Sequence, residues 1–453
     1  MKESMNTESN EIYKLFSENN NGKLIKVLDK LGKLSDNFDN NSLVYLLEHE
    51  NEKIRCLAVK NLAKTEDVSL KNTYIKLINN DSSSVVKREA ASAIGRLRNK
   101  ECIPTLLNLL SNSDPEVAMQ AMRGLLVFKE DKLILDSLKK LKNHPNEMIQ
   151  EVINKEFYCE SSNGYDPTHR LSPDYLKNAV IYGDSINVLK LIPDNSIHLT
   201  FTSPPYYNAR DYSTYLSYND YLNFLESIFK EVHRITKEGR FLVLNTSPII
   251  IPRVGRQYSS KRYPIPYDIH PLLIKMGWEF IDDIVWAKPE ASVKNRNAGF
   301  LQHRKPLAYK PNARTECVMV YRKKTEKLID WNIKQYPMEI VNESKINGDY
   351  ESSNVWEIDP TFDRTHSAVF PLDLCNKVIK FYSFKGDLIF DPFAGSGTLG
   401  KSALNLSRYF LLIEKELKYI DRIKENLGQM KINYYKNQPT KFFTESEFKK
   451  VIK

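Results

Sequence analysis

Two short stretches hold residue types whose spacing suits chemistry. In the first, the apolar run LTFT (199–202) leads straight into Ser203-Pro204-Pro205-Tyr206. An exocyclic amine on a nucleobase is a poor nucleophile because its lone pair is delocalised into the ring. It improves when acceptors hold its hydrogens and draw the nitrogen toward tetrahedral geometry. The Ser203 side-chain oxygen and the Pro204 carbonyl are such acceptors, and two prolines fix the backbone so that both point at one place. Tyr206 offers a flat face to a base rotated out of a duplex. No strong base is required, since the amine proton becomes acidic once the methyl group has arrived.

The second stretch, DPFAGSGTLGKS (391–402), admits three nucleotide-handling loops. Gly395 to Ser402 fits the triphosphate pattern G-x-x-x-x-G-K-[ST], and Gly395, Gly397 and Gly400 fit the dinucleotide pattern G-x-G-x-x-G. The third reading is a methyl-donor loop. All three occur where a strand turns into a helix at the carboxyl edge of a parallel sheet, and GDLIF before and GKSALNLS after supply that strand and helix. A triphosphate loop also needs an Asp at the tip of another strand for magnesium. Here the next apolar strand, YFLLIEK, ends in Glu414, 17 residues after Gly397, where adenosine-binding sheets hold a ribose. That spacing disfavours the triphosphate and leaves dinucleotide and methyl donor level.

The elements that must position these stretches alternate. Short apolar runs (NAVIYGD, IHLTFTSPP, GRFLVLNTSP, IDDIVWAKP, CVMVYRKK, GDLIFDPFAG and RYFLLIEK) are interleaved with amphipathic patterns such as YNDYLNFLESIFKEVHRITKEG. This predicts a doubly wound α/β sheet. Ahead of it the chain repeats. KIRCLAVKNLA, VVKREAASAIG, EVAMQAMRGLL and EMIQEVINKEF place Ile54, Val86, Val117 and Met148 in equivalent positions, 31 or 32 residues apart. Each copy follows a polar turn, and Ala90, Ala91, Ala93, Ala118 and Ala121 let paired helices approach closely. Such a period marks a helical solenoid resembling short HEAT-like repeats, suited to protein docking or to tracking a DNA backbone. The expected organisation is a repeat domain over 1–157, a linker over 158–176, a catalytic domain over 177–252 and 350–435, and a target-recognition region with catalytic-domain strands over 253–349.

At 453 residues, 41% hydrophobic and 27% charged, the composition is that of an ordinary globular protein, and the net charge of +9 favours a polyanionic partner. The polar N-terminus lacks a signal-peptide core and no run of 18 apolar residues occurs, so a cytoplasmic protein without membrane attachment is expected. Five cysteines (Cys56, Cys102, Cys159, Cys317 and Cys375) lie far apart with no C-x-x-C pair, which predicts reduced thiols and no metal site.

Taken together, SPPY and DPFAGSGT resemble the amino-methylating DNA methyltransferases that use S-adenosylmethionine, in the permuted (beta) arrangement where the catalytic motif precedes the donor motif. The resemblance covers about residues 176–430. It implies a Rossmann-like methyltransferase sheet preceded by the all-α HEAT-like solenoid, and a catalytic set of Ser203, Pro204, Pro205 and Tyr206. It places Asp184 against the donor's adenine, Ser367, Phe370 and Pro371 beside the methionine part, Asp391, Phe393, Gly395 and Gly397 along the methionine end, and Glu414 on the ribose. On the same analogy a side chain added at Gly397 is expected to fill donor space. Where the family segment commonly reads H-P-A before the Phe-Pro pair, this chain has His366-Ser367-Ala368, which bears on Ser367.

Family members with Ser at the head of the quartet are mostly cytosine-N4 enzymes and those with Asp mostly adenine-N6 enzymes, so Ser203 implies cytosine. The basic segments RVGRQYSSKRY (253–263) and KNRNAGFLQHRKPLAYKPNARTECVMVYRKK (294–324) suit phosphate and base-edge contacts to double-stranded DNA, and Asp211 and Tyr212 are placed to order the catalytic loop. The expectation is a site-specific enzyme of a restriction-modification system, with a nuclease or other protein partner docking through the repeats. The alternatives are adenine-N6 methylation, a substrate other than DNA, and a DNA-binding HEAT scaffold whose methyltransferase-like domain does no chemistry.

Overall fold

The computed structural model describes residues 7–34, 38–158, 164–208, 215–251, 255, 257–292, 306–307, 311, 313–348, 351–361, 369–428 and 439–452. They form two compact units, Met1–Glu160 and Ser161–Lys453.

Among its described residues the first unit contains helices and no strand. Helices Glu52–Leu62, Ser84–Arg96, Pro115–Leu126 and Glu147–Phe157 follow the caps Asn51, Ser83, Asp114 and Asn146. Three residues after each cap sits a fully buried apolar side chain: Ile54, Val86, Val117 and Ile149. Met148 is instead 57% exposed, so the fourth equivalent position is Ile149 and the register differs by one from the sequence expectation. The cap decides it, because the Asn146 side chain accepts from the Ile149 amide and starts the helix one residue later than the apolar pattern suggests. The alanines expected to let helices pair, Ala90, Ala91, Ala93, Ala118 and Ala121, are all buried, and the same two helices approach closely at Gly95 and Gly124, where a Cβ on Gly95 would lie 3.0 Å from the Gly124 Cα. Residues 1–160 carry 24 Lys and Arg against 24 Asp and Glu, so the whole excess of positive charge belongs to the second unit.

Among its described residues the second unit contains eleven strands: β1 Ala179–Tyr182, β2 Ile197–Thr202, β3 Thr236–Thr246, β4 Ile249–Ile251, β5 Lys261–Tyr263, β6 Trp278–Ala287, β7 Thr315–Lys323, β8 Val355–Glu357, β9 Leu388–Asp391, β10 Tyr409–Glu414 and β11 Lys441–Thr444. Nine of them make one sheet in the order β11-β1-β10-β9-β2-β3-β7-β6-β8, and β4 pairs with β5 apart from it. From β11 to β3 the pairing is parallel, and β7 runs antiparallel to both its neighbours. β2 and β10 are buried along their whole length because helices cover both faces; β10 accordingly reads as an apolar run up to Glu414, whereas β2 buries His198, Thr200 and Thr202 among its apolar residues. β11 extends the sheet beyond the expected limit of 435. Likewise, residues 164–176, expected as linker, pack on the second unit: the Trp331 indole donates to the Gly164 carbonyl at 3.0 Å, and His169 is buried.

From β9 the chain proceeds to β10 on one side, and from β2 to β3 on the other. The crevice between β9 and β2 is therefore the topological switch point, the place where open α/β sheets bind ligands beyond the carboxyl ends of their strands.

Candidate active site

Both sequence stretches open into that crevice. β2 stops at Thr202 because Pro204 and Pro205 have no amide to continue the ladder. β9 ends in Asp391, and the chain turns through Gly395 (φ +53°) and Gly397 (φ +76°) into the helix Thr398–Asn405. A cavity of about 550 Å³ lies here, within the range usual for cofactor sites. Its walls include Asp184, Ser203, Pro204, Pro205, Tyr206, Phe370, Asp391, Phe393, Gly395 and Glu414. The structure thus brings ten of the thirteen expected site residues to one cavity. Pro371 is not on its wall and instead caps the helix Leu372–Tyr382, while Ser367 lies outside the described residues. Gly397 is not on the wall either. A Cβ there would meet Ile423 Cγ1 at 2.9 Å, so a side chain added at this glycine would run into helix packing and a left-handed backbone.

The loops are stitched together at the cavity floor. The Thr202 hydroxyl donates to Asp391 Oδ1 at 2.6 Å, and the Phe393 amide donates to the same oxygen at 2.9 Å. Glu414 accepts from the amides of Gly395 (2.8 Å) and Glu416 (2.9 Å), and Ser185 Oγ donates to the Pro392 carbonyl at 2.5 Å. Asp184 caps the short helix Ser185–Leu189 through the Ile186 amide at 2.8 Å. Burial pushes the Asp391 carboxyl up to about 7, against the pull of Thr202 and Phe393 and with a further push from Glu414. Burial likewise raises Glu414, although three backbone amides act in the other direction.

These two acids test which of the three loops is present. Ser402, the residue that would meet magnesium in a triphosphate loop, is buried and spends its hydroxyl on Asn376 Oδ1 at 2.6 Å. Two buried carboxylates at the tips of adjacent strands would repel a polyphosphate. They suit a ligand that brings a cationic amine and a ribose diol, and the residues present therefore fit S-adenosylmethionine. Gly400 packs the helix on the sheet, since a Cβ there would meet Leu412 Cδ1 at 2.9 Å.

Aromatic rings line the cavity as well. Phe370 stacks on Phe201 with centroids 4.5 Å apart, and Phe393 lies 6.0 Å from Phe224. Sequence reasoning missed one further group. Glu316, at the start of β7, accepts from Tyr206 Oη at 3.1 Å and from Asn245 Nδ2, near the end of β3, at 2.6 Å. Its other oxygen is in contact with Lys288 Nζ, just past β6. Burial, and then the Glu316 charge, raise the Tyr206 hydroxyl well above its ordinary value. The available signal was a lone acid ahead of the apolar run CVMVY, and it gave no hint of a partner. Of the basic segments read as DNA-facing, 253–254, 256, 294–305, 308–310 and 312 lie outside the described residues, as do Asp211 and Tyr212.

Among the described residues no group of three or more His, Cys, Asp or Glu is placed to hold a metal, and no helix is long and apolar enough to cross a membrane.

A DNA methylase family model of the N6/N4 type matches residues 197–425, and HEAT repeat models match 40–125 and 72–153. The type II methyltransferase M.ScaI of Streptomyces caespitosus is 31% identical over 255 residues, covering 53% of this chain and 78% of that protein. M.Cfr9I of Citrobacter freundii, also a type II methyltransferase, is 29% identical over 287 residues, covering 56% and 89%. Against M.MwoI of Methanothermobacter wolfeii the identity is 29% over 280 residues, and the matched part spans only 36% of that longer relative. Among solved structures, the PvuII DNA methyltransferase (cytosine-N4-specific) is 19% identical with a TM-score of 0.42, covering 61% of this chain and 93% of that one.

Proposed function

Since the chain belongs to the N6/N4 DNA methylase family, we propose that it is a site-specific DNA methyltransferase modifying the exocyclic N4 amine of a flipped cytosine in duplex DNA, within a restriction-modification system. The observation that carries the reading is the shared cavity: the amine-holding quartet and the acid-lined glycine loop open into one space at the switch point. S-adenosylmethionine is the cofactor, supplying an electrophilic methyl group whose bonding electrons leave with sulfur. Ser203 Oγ and the Pro204 carbonyl accept the two amine hydrogens and turn the nitrogen lone pair toward the incoming methyl carbon. Pro205 keeps both acceptors in register, and the Tyr206 face holds the base. After transfer the amine nitrogen carries the positive charge, and a proton leaves it for water. Asp391 holds the donor's amine, Glu414 its ribose, and Asp184, Phe393 and Phe370 close around the rest.

A neutral serine hydroxyl at the head of the quartet supports cytosine over adenine. For the repeat unit, the even balance of charge supports a protein partner, such as a nuclease, over a DNA-tracking surface. The test is to incubate the protein with labelled S-adenosylmethionine and unmethylated plasmid, digest the DNA to nucleosides and identify the modified base by mass spectrometry. N4-methylcytosine is the expected product. N6-methyladenine would overturn the base assignment, and no incorporation with the donor bound would overturn DNA as substrate.

A further inference from the structure

The steps above leave Lys288, Glu316 and Asn245 in the same cavity without a task. Glu316 is not free to act as a base, because one oxygen accepts from both Tyr206 Oη and Asn245 Nδ2 and the other is taken by Lys288. A carboxylate with that many donors is a strut. It joins the tyrosine of the quartet to the Lys288 amine, which also lines the cavity. Lys288 Nζ also lies 4.5 Å from the Trp286 ring centroid, and the Trp286 indole is anchored on the Ile358 carbonyl at 2.8 Å, so the Lys288 side chain is held from two sides. An ammonium has three hydrogens, of which Glu316 takes one.

We infer that Lys288 reads the ring acceptors of the flipped base and that Glu316 is the positioning residue that holds Lys288 and Tyr206 in a fixed relation. The inference rests on the amino-methylation reading. A cytosine held by its N4 hydrogens at Ser203 and Pro204 still presents two acceptors, N3 and O2, along the same edge, and both need a donor when water is excluded. Adenine presents one ring acceptor, N1, on that edge and a C–H where cytosine has O2. A cationic donor therefore suits cytosine better, an argument for the base that is independent of Ser203. The Glu316 carboxylate has a second effect. Positive charge builds on the base as its amine attacks the methyl group, and a bare cation beside it would oppose the reaction. In contact with Glu316 the pair is neutral, so the donor hydrogens are supplied without an opposing field.

The two roles separate in steady-state kinetics on plasmid DNA with the full chain. Lys288→Met is expected to lower kcat/KM for DNA by about 10- to 100-fold and to leave the dissociation constant for S-adenosylmethionine within about twofold, and Lys288→Arg, which keeps the donors, recovers most of the loss. Glu316→Gln strips the neutralising charge and is expected to lower kcat about tenfold or more with the donor constant unchanged. Wild-type turnover by Lys288→Met overturns the inference. So does a loss that Lys288→Arg fails to recover, or one that tracks weaker donor binding and a lower thermal midpoint, which would make the cluster a structural ion pair only. A wild-type chain that transfers no methyl group to DNA fails in a different way: it overturns the reading beneath the inference, and the inference with it.

Discussion

Thr202 and Asp391, 189 residues apart, are joined by a 2.6 Å hydrogen bond across the crevice between β2 and β9. One ends the strand that carries the catalytic quartet and the other ends the strand that carries the glycine loop, so this bond sets the distance between the two halves of the reaction. Thr202→Val keeps the shape and removes the donor. Loss of about 1 kcal/mol is expected, seen as roughly fivefold weaker S-adenosylmethionine binding in a calorimetric titration. Unchanged binding would show that the glycine loop holds its place without β2.

Asp391 should make donor binding depend on pH. Its carboxyl moves from an ordinary 3.8 to about 7 on folding, so the folded protein holds a proton that the unfolded chain has released. This group's contribution to stability is complete below pH 4 and is lost as pH rises to 7. A cationic donor amine beside Asp391 favours the ionised form. Binding should therefore expel a proton and tighten by up to about tenfold per pH unit between pH 5.5 and 7. Calorimetry in two buffers of different ionisation enthalpy counts that proton, and Asp391→Asn should abolish the dependence.

The quartet's acceptors act on the amine and leave the donor alone. Ser203→Ala is expected to reduce kcat by about 10- to 100-fold and to leave donor affinity within about twofold. A variant with full turnover would remove Ser203 from the reaction.

Gly397→Ala probes packing and backbone. The left-handed φ and the 2.9 Å approach to Ile423 predict a loss of about 1–3 kcal/mol in stability, measured by thermal denaturation, with any loss of donor affinity following from it. Weaker donor binding at unchanged stability would restore the direct contact expected from the sequence.

Far from the cavity, at the amino ends of β2 and β9, the buried Asp387 accepts from the buried Tyr336 Oη at 2.6 Å and from the Phe384 amide, and contacts the buried Arg240. Burial is the largest single influence and would raise Asp387, and the Arg240 charge, the His198 ring and the hydrogen bonds from Tyr336 and the Phe384 amide together hold it below its ordinary value. Arg240→Met should cost about 3–5 kcal/mol by leaving a buried carboxylate uncompensated, whereas removing both partners should cost much less. Equal losses for the single and double variants would refute the pairing.

Local chemistry was legible in the chain itself. Two prolines after an apolar run stop a strand whatever surrounds it, glycines permit a left-handed turn, and a 31- to 32-residue period builds a solenoid from neighbouring contacts. The quartet, the glycine loop, Glu414 and the repeat helices could be read for that reason. Met148 was misassigned because apolar spacing alone does not register a helix start, which the Asn146 side chain decides. The Lys288–Glu316–Tyr206–Asn245 cluster, the Thr202–Asp391 bond and the buried Arg240–Asp387 pair could not be read. Each joins residues from different strands, and which side chains converge depends on strand order and register. Only the assembled sheet supplies those, because a polar side chain in a sequence carries no mark of the partner that burial will force on it.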